Sequence, residues 1–139
     1  MNLYVLDTDI LTLYQTGDDV VLGHVREQSW SGLAVSVISV EEQLGGWYTR
    51  LRRTKKREEL AKVYQYLTDT IQSLARFHVL SFSVGAIRRY EELRTKRLNV
   101  SKNDLRIAAI VLEVGGRLAT RNVRDFARIP GLDIEDWSK

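Results

Sequence analysis

The sequence predicts an α/β protein built on a mostly parallel sheet of about five strands, and three observations carry that expectation. Short, continuously apolar runs such as Leu3-Tyr4-Val5-Leu6 recur along the chain, as expected of strands covered on both faces. Longer segments between them place apolar residues at helical spacing. The two kinds of segment alternate, which calls for right-handed crossovers and a mostly parallel sheet. With 139 residues, one proline and no low-complexity stretch or internal repeat, the chain reads as one domain spanning residues 1–139.

The elements follow in order. Residues 3–6 form the first strand, and a short helix is expected over 9–14. A turn at Gly17-Asp18-Asp19 leads into a second helix ending near residue 28. Residues 33–38 read as the second strand, after which Ser39 is expected to cap a helix running through Trp47 and Tyr48. Gly45-Gly46 inside that helix cost about 1 kcal/mol each relative to alanine; close approach of another backbone would be a physical reason for them, a tolerated kink the dull one. Residues 58–76 carry Leu60, Val63, Tyr64, Leu67, Ile71 and Leu74 at helical spacing. A third strand is expected over 77–82 and a charged amphipathic helix over 84–97. Residues 103–114 are apolar on most sides and should be buried, with Gly115-Gly116 ending that helix in a left-handed turn. Residues 117–120 and 132–134 complete the sheet.

Composition narrows the function classes. Hydrophobic residues at 44% and charged residues at 28% are ordinary for a globular protein. The absence of cysteine excludes disulfides and thiolate metal sites and suits a reducing cytoplasm. Asp7 and Asp9 interrupt the amino terminus too early for a signal peptide, and no apolar run is long enough to span a bilayer. The net charge is only +3, yet Arg50, Arg52, Arg53, Lys55, Lys56 and Arg57 crowd into one short window without an acid. The rest of the chain is slightly acidic. Such a block fits either a polyanion footprint or a helix end favoured by the macrodipole.

Four acids carry the chemistry. Asp7, Glu42, Asp104 and Asp125 each stand where an apolar stretch or loop gives way to a helix. In a parallel α/β sheet those junctions share one edge, so acids distant in sequence can meet there. The dull explanation is helix capping: Ser39 with Glu42, Ser101 with Asp104 and Asn122 with Asp125 have capping-box spacing, and Asp7 can cap the first helix. The two readings are compatible. Like charges gathered at one centre raise one another's pKa and call for a cation, and an all-oxygen donor set suits Mg²⁺ or Mn²⁺. One or two such ions would assist phosphodiester cleavage. Asp9 is given a supporting role, and Thr120 a hydroxyl able to orient a carboxylate or water. His24 and His78 read as packing or surface residues, which disfavours a histidine acid–base mechanism.

Four segments in order carry a family resemblance: residues 6–11 (LDTDIL), 36–46 (SVISVEEQLGG), 103–109 (NDLRIAA) and 120–126 (TRNVRDF). Together they resemble a PIN-domain ribonuclease, and more narrowly the VapC-type toxins of bacterial toxin–antitoxin pairs. The similarity runs through Pro130-Gly131-Leu132 and Trp137. It implies a PIN-like three-layer α/β/α sandwich and a Mg²⁺- or Mn²⁺-dependent endoribonuclease acting on structured RNA such as tRNA. Asp7, Glu42, Asp104 and Asp125 match the family's acidic quartet, with Asp7 and Asp104 as principal metal ligands, Asp125 close by or acting through water, and Glu42 placing the metal and attacking water. It further implies a homodimer, held inactive by a small VapB-like antitoxin whose tail enters the active-site groove. Asp9 departs from the asparagine common in the first motif, and Asn122 stands where some relatives have an acid. On this reading Arg53, Lys55 and Lys56 guide an RNA backbone, and Trp47 and Tyr48 are able to stack on unpaired bases or to pack against the core or a partner.

Two other readings compete. Asp7-Thr8-Asp9 after an apolar strand also resembles the nucleophile and acid of haloacid-dehalogenase-like phosphatases, with Thr120 as a phosphate-binding hydroxyl. Against it, Ile10 stands where glycine is frequent and Glu42 goes unused. A PIN-like module that binds RNA without turnover is the non-catalytic alternative, against which the intact quartet argues.

Overall fold

The computed structural model describes residues 2–139. Five strands, β1 (Tyr4–Leu6), β2 (Leu33–Ser36), β3 (His78–Leu80), β4 (Arg117–Thr120) and β5 (Ile134–Asp136), form one sheet in the order β3-β2-β1-β4-β5. Every pairing is parallel, with Tyr4 opposite Leu33 on one side and Arg117 on the other. Seven helices accompany it: α1 (Thr8–Gln15), α2 (Asp19–Arg26), α3 (Val37–Arg53), α4 (Arg57–Leu74), α5 (Val84–Thr95), α6 (Lys102–Val114) and the short α7 (Val123–Phe126). The strand alternation sets the layers. Val5, Ala34 and Leu118 face one core with α5 and α6, while Tyr4, Leu6, Leu33, Val35 and Ala119 face another with α1, α2 and Trp137. The expected α/β/α sandwich is thus present. Among the described residues no helix is long and apolar enough to cross a membrane.

Several boundaries move. Strand β2 stops at Ser36, whose side chain accepts from the Ser39 backbone N–H and caps α3. Ser39 is therefore inside the helix rather than its cap. Val37 and Ile38, β-favouring by type, occupy its first turn because Ile38 packs into the core there. Asn122 makes no side-chain cap either; it reaches Asp125 instead. The last strand begins at Ile134 rather than Leu132, since Gly131 at φ 78° makes a turn that carries Leu132 against the core before pairing starts. The outer strand β3 is shorter than its apolar run. The single 3-10 turn at Trp30–Gly32 has no counterpart in the sequence reading. Gly115 ends α6 at φ 68° as expected. A Cβ at Gly45 or Gly46 would meet nothing within 4 Å, so no close approach within the chain explains them.

Candidate active site

The strand order reverses between β1 and β4, and their carboxyl ends form the crevice where open α/β sheets place ligands. Asp7 leaves β1 there and is 5% exposed. Its Oδ1 accepts from the Ile10 N–H at 2.9 Å, capping α1, and its Oδ2 accepts from the Thr120 hydroxyl at 2.6 Å. Thr120 in turn accepts from the Asn122 N–H at 2.9 Å. The carboxylate is thus held from two sides while lone pairs on both oxygens remain unused. Burial pushes its pKa up to about 6, opposed by the Thr120 and Ile10 hydrogen bonds and assisted by the charges of Asp9 and Asp104.

Asp104 occupies the first turn of α6, where the Ser101 hydroxyl caps its backbone N–H. Burial raises its pKa too, and Glu42, Asp125 and Asp9 add repulsion. Acids from β1, α3, α6 and α7 therefore feel one another at one sheet edge. Glu42 is fixed by Thr8, whose hydroxyl donates to its Oε1 at 2.8 Å and lies 2.8 Å from the Ser39 hydroxyl. With Thr8 donating to Glu42, Ser39 must be the donor in the second contact. Asp125, like Asp7, has a partner on each oxygen, here including a cation: Arg128 Nη1 stands 3.1 Å from its Oδ1, and Asn122 Nδ2 donates to its Oδ2 at 3.0 Å. Asp9 points to the rim and pairs with Arg121 at 3.5 Å.

Among the described residues, no group of three or more acidic or histidine side chains is arranged to hold a metal ion alone. Mg²⁺ does not ask for such a cage. It keeps several waters and is commonly bound through one or two carboxylates, so Asp7 and Asp104, both half- to fully buried and under repulsion, fit a partly hydrated hard cation.

The other expected residues sit apart from the acids. Arg53, Lys55 and Lys56 are exposed around the α3–α4 junction, and Arg53 lies about 16 Å along the α3 axis from Glu42 at the usual rise per residue. Arg50 leaves the block and lies over the rings of Trp47 and Tyr66, 5.3 and 5.8 Å from their centroids. Trp47 donates to Thr70, which makes it a wall of the fold more than a free stacking platform. A cavity of about 1030 Å³ runs from Thr8 and Glu42 between α1, α3 and α4, with Gln43, Trp47 and Thr70 along it. His24 stacks on Trp137, and His78 lies exposed on the edge strand, so neither joins the site.

No model of a known protein family matches the chain. Individual relatives do. Ribonuclease VapC2 of Rickettsia felis is 33% identical over 108 residues, covering 75% of this chain and 72% of that protein. Ribonuclease VapC1 of the same organism is 30% identical over 94% of this chain and 92% of its own length. The chain belongs to the VapC ribonuclease family. The crystal structure of VapBC2 from Rickettsia felis bound to a DNA fragment from their promoter agrees, with a TM-score of 0.73, 27% identity and coverage of 97% and 98% of the two chains.

VapC membership sets aside the phosphatase reading. The geometry of the site adds Thr8 and Ser39, which the sequence does not mark as functional residues. Thr8 lies inside the first VapC-like motif, beside Asp7. Ser36, not Ser39, caps α3; both serines precede a helical pattern, so spacing alone does not separate them. The remaining signal was weak, since a hydroxyl that bridges two elements leaves no periodicity to read. Thr120 does orient a carboxylate, that of Asp7.

Proposed function

We propose that this VapC-family chain is a Mg²⁺- or Mn²⁺-dependent endoribonuclease of structured RNA such as tRNA, restrained by a small VapB-like antitoxin and active as a homodimer. The observation that carries the metal-dependent reading is Asp7 itself, a carboxylate buried at the sheet's switch point and held by Thr120 beside a second acid under strain. A buried anion of this kind is unfavourable until a cation compensates it.

Asp7 and Asp104 would hold the cation. When bound, Mg²⁺ or Mn²⁺ supplies charge stabilisation for the phosphoryl transition state and a more acidic water. Thr120 fixes the rotamer of Asp7, so that carboxylate needs little reorganisation during the reaction. Thr8 fixes one oxygen of Glu42, leaving the other, which has no partner among the described residues, to orient the attacking water. Asp125, satisfied by Arg128 and Asn122, contributes negative potential at one remove. The cavity leading from Glu42 along α3 is the groove proposed for the antitoxin tail.

Two outcomes test this reading. Treatment with a chelator should abolish RNA scission, and Mg²⁺ or Mn²⁺ should restore it, with product ends mapped by sequencing; scission that persists in excess chelator would overturn the metal requirement. The triple variant Arg53→Ala, Lys55→Ala, Lys56→Ala should raise KM about tenfold with kcat nearly unchanged. Its binding should also depend less steeply on salt, by about 0.7 per lost phosphate contact on a log–log plot. An unaltered salt slope would mean that the block never meets RNA.

A further inference from the structure

The helices that carry Glu42 and Asp104 also build a second, smaller cleft. It measures about 390 Å³ and is lined by Val37, Ile38 and Glu41 from α3, Phe82 from the loop after β3, and Arg106 from α6. It lies beyond the carboxyl ends of β2 and β3, next to the β1–β4 crevice along the same sheet edge. Its walls combine three chemistries. Val37, Ile38 and Phe82 are apolar. Glu41 is exposed, with no hydrogen-bond or ion-pair partner among the described residues. Arg106 is half-buried, lies 5.1 Å over the Tyr90 ring and donates to the Asn103 side chain at 2.7 Å, which fixes the guanidinium while leaving other N–H groups free.

We infer that this cleft binds a guanine base of the RNA next to the scissile phosphate; the inference rests on the ribonuclease reading above. Apolar walls that include an aromatic ring, Phe82, suit a stacked base. One carboxylate and one guanidinium that do not pair with each other then select among bases. A carboxylate accepts from the N1–H and N2–H₂ of guanine, and a guanidinium donates to O6 and N7. Adenine offers Glu41 only an acceptor at N1, and presents Arg106 with a donor at N6. The Tyr90 hydroxyl is buried without a partner while its ring touches both Phe82 and Arg106, a further polar group at this end of the molecule that the chain leaves unsatisfied.

The test is a nucleotide titration of the full chain in Mg²⁺, followed through backbone amide and arginine Nε–H resonances. GMP, IMP and AMP carry the same phosphate, so differences among them report the base. GMP should bind at least tenfold more tightly than AMP, with IMP, which lacks only the N2 amine, between them, and shifts should concentrate at residues 37–41, 82 and 106. Glu41→Gln, at an exposed position, should bring GMP to within about twofold of AMP. Phe82→Ala, with its fold checked by spectral dispersion, should weaken all three by about fivefold or more. Equal affinities for GMP and AMP, or shifts confined to the Asp7 crevice, would overturn the guanine pocket. Metal-dependent scission is measured on the same preparations: its absence with GMP selectivity intact would overturn the nuclease reading alone, and its presence without selectivity would overturn the pocket alone.

Discussion

Asp7→Asn is expected to lower RNA cleavage by about 10²–10³-fold, the scale of losing one group that stabilises transition-state charge, while making the metal-free protein more stable at neutral pH. The two effects have one origin. Asparagine keeps the size of aspartate, an acceptor for the Ile10 N–H and a group able to share a hydrogen bond with Thr120, so α1 remains capped. It removes only the buried charge. Burial lifts the Asp7 carboxyl from 3.8 to about 6, whereas in the unfolded chain it titrates near its ordinary value of about 3.9. Between those values the folded state holds a proton that the unfolded state has released. Stability from this group is therefore full below about pH 4, falls as pH rises to about 6, and stays lowered above it. The raised pKa corresponds to about 3 kcal/mol as an upper figure.

Urea denaturation of the metal-free proteins checks this directly. Asp7→Asn should exceed the natural chain by about 1–3 kcal/mol at pH 8, and the gap should close toward pH 4. Adding Mg²⁺ should stabilise the natural chain and leave the variant nearly unmoved, since only a native state that binds the ion gains from it. A variant less stable than the natural chain at pH 8 would mean that the Asp7 charge is compensated by some group other than a cation.

How much of this was legible in the sequence depends on what each residue's role leaves behind. The first strand and α6 were plain, because a segment buried on both faces must be apolar throughout. The convergence of Asp7 and Asp104 was legible from topology alone, as parallel strands send their ends to one edge. The start of α3 was not, because Val37 and Ile38 suit a strand by type and only tertiary packing places them in a helix. Nor was the Thr8–Ser39–Glu42 chain of hydroxyls, since capping spacing explained the same residues equally well. The basic window was obvious, but only coordinates separate Arg50, folded over Trp47 and Tyr66, from Arg53, Lys55 and Lys56 at the far end of the helix.

Trp137→Ala should be among the most destabilising single changes, about 3–5 kcal/mol, although only Ser138 and Lys139 follow it in the sequence. Its side chain is 1% exposed. The ring packs 5.0 Å from Tyr4 and stacks on His24 at 5.2 Å, so it closes the core formed by α1, α2 and one face of the sheet. Its backbone N–H donates to the Thr120 carbonyl at 3.1 Å, tying the end of the chain to the residue that orients Asp7. Against a typical total of about 5–15 kcal/mol, that loss should lower Tm by about 10 °C or more. Trp137→Phe separates packing from the indole N–H, which is buried without a partner. Phenylalanine keeps most of the ring and removes the orphaned donor, so about 1.5 kcal/mol or less should be lost. Well below Tm its cleavage should match the natural chain. If Trp137→Phe instead proved as damaging as Trp137→Ala, the indole N–H would have to meet a partner, and the carboxyl-terminal strand would be held by more than the packing described.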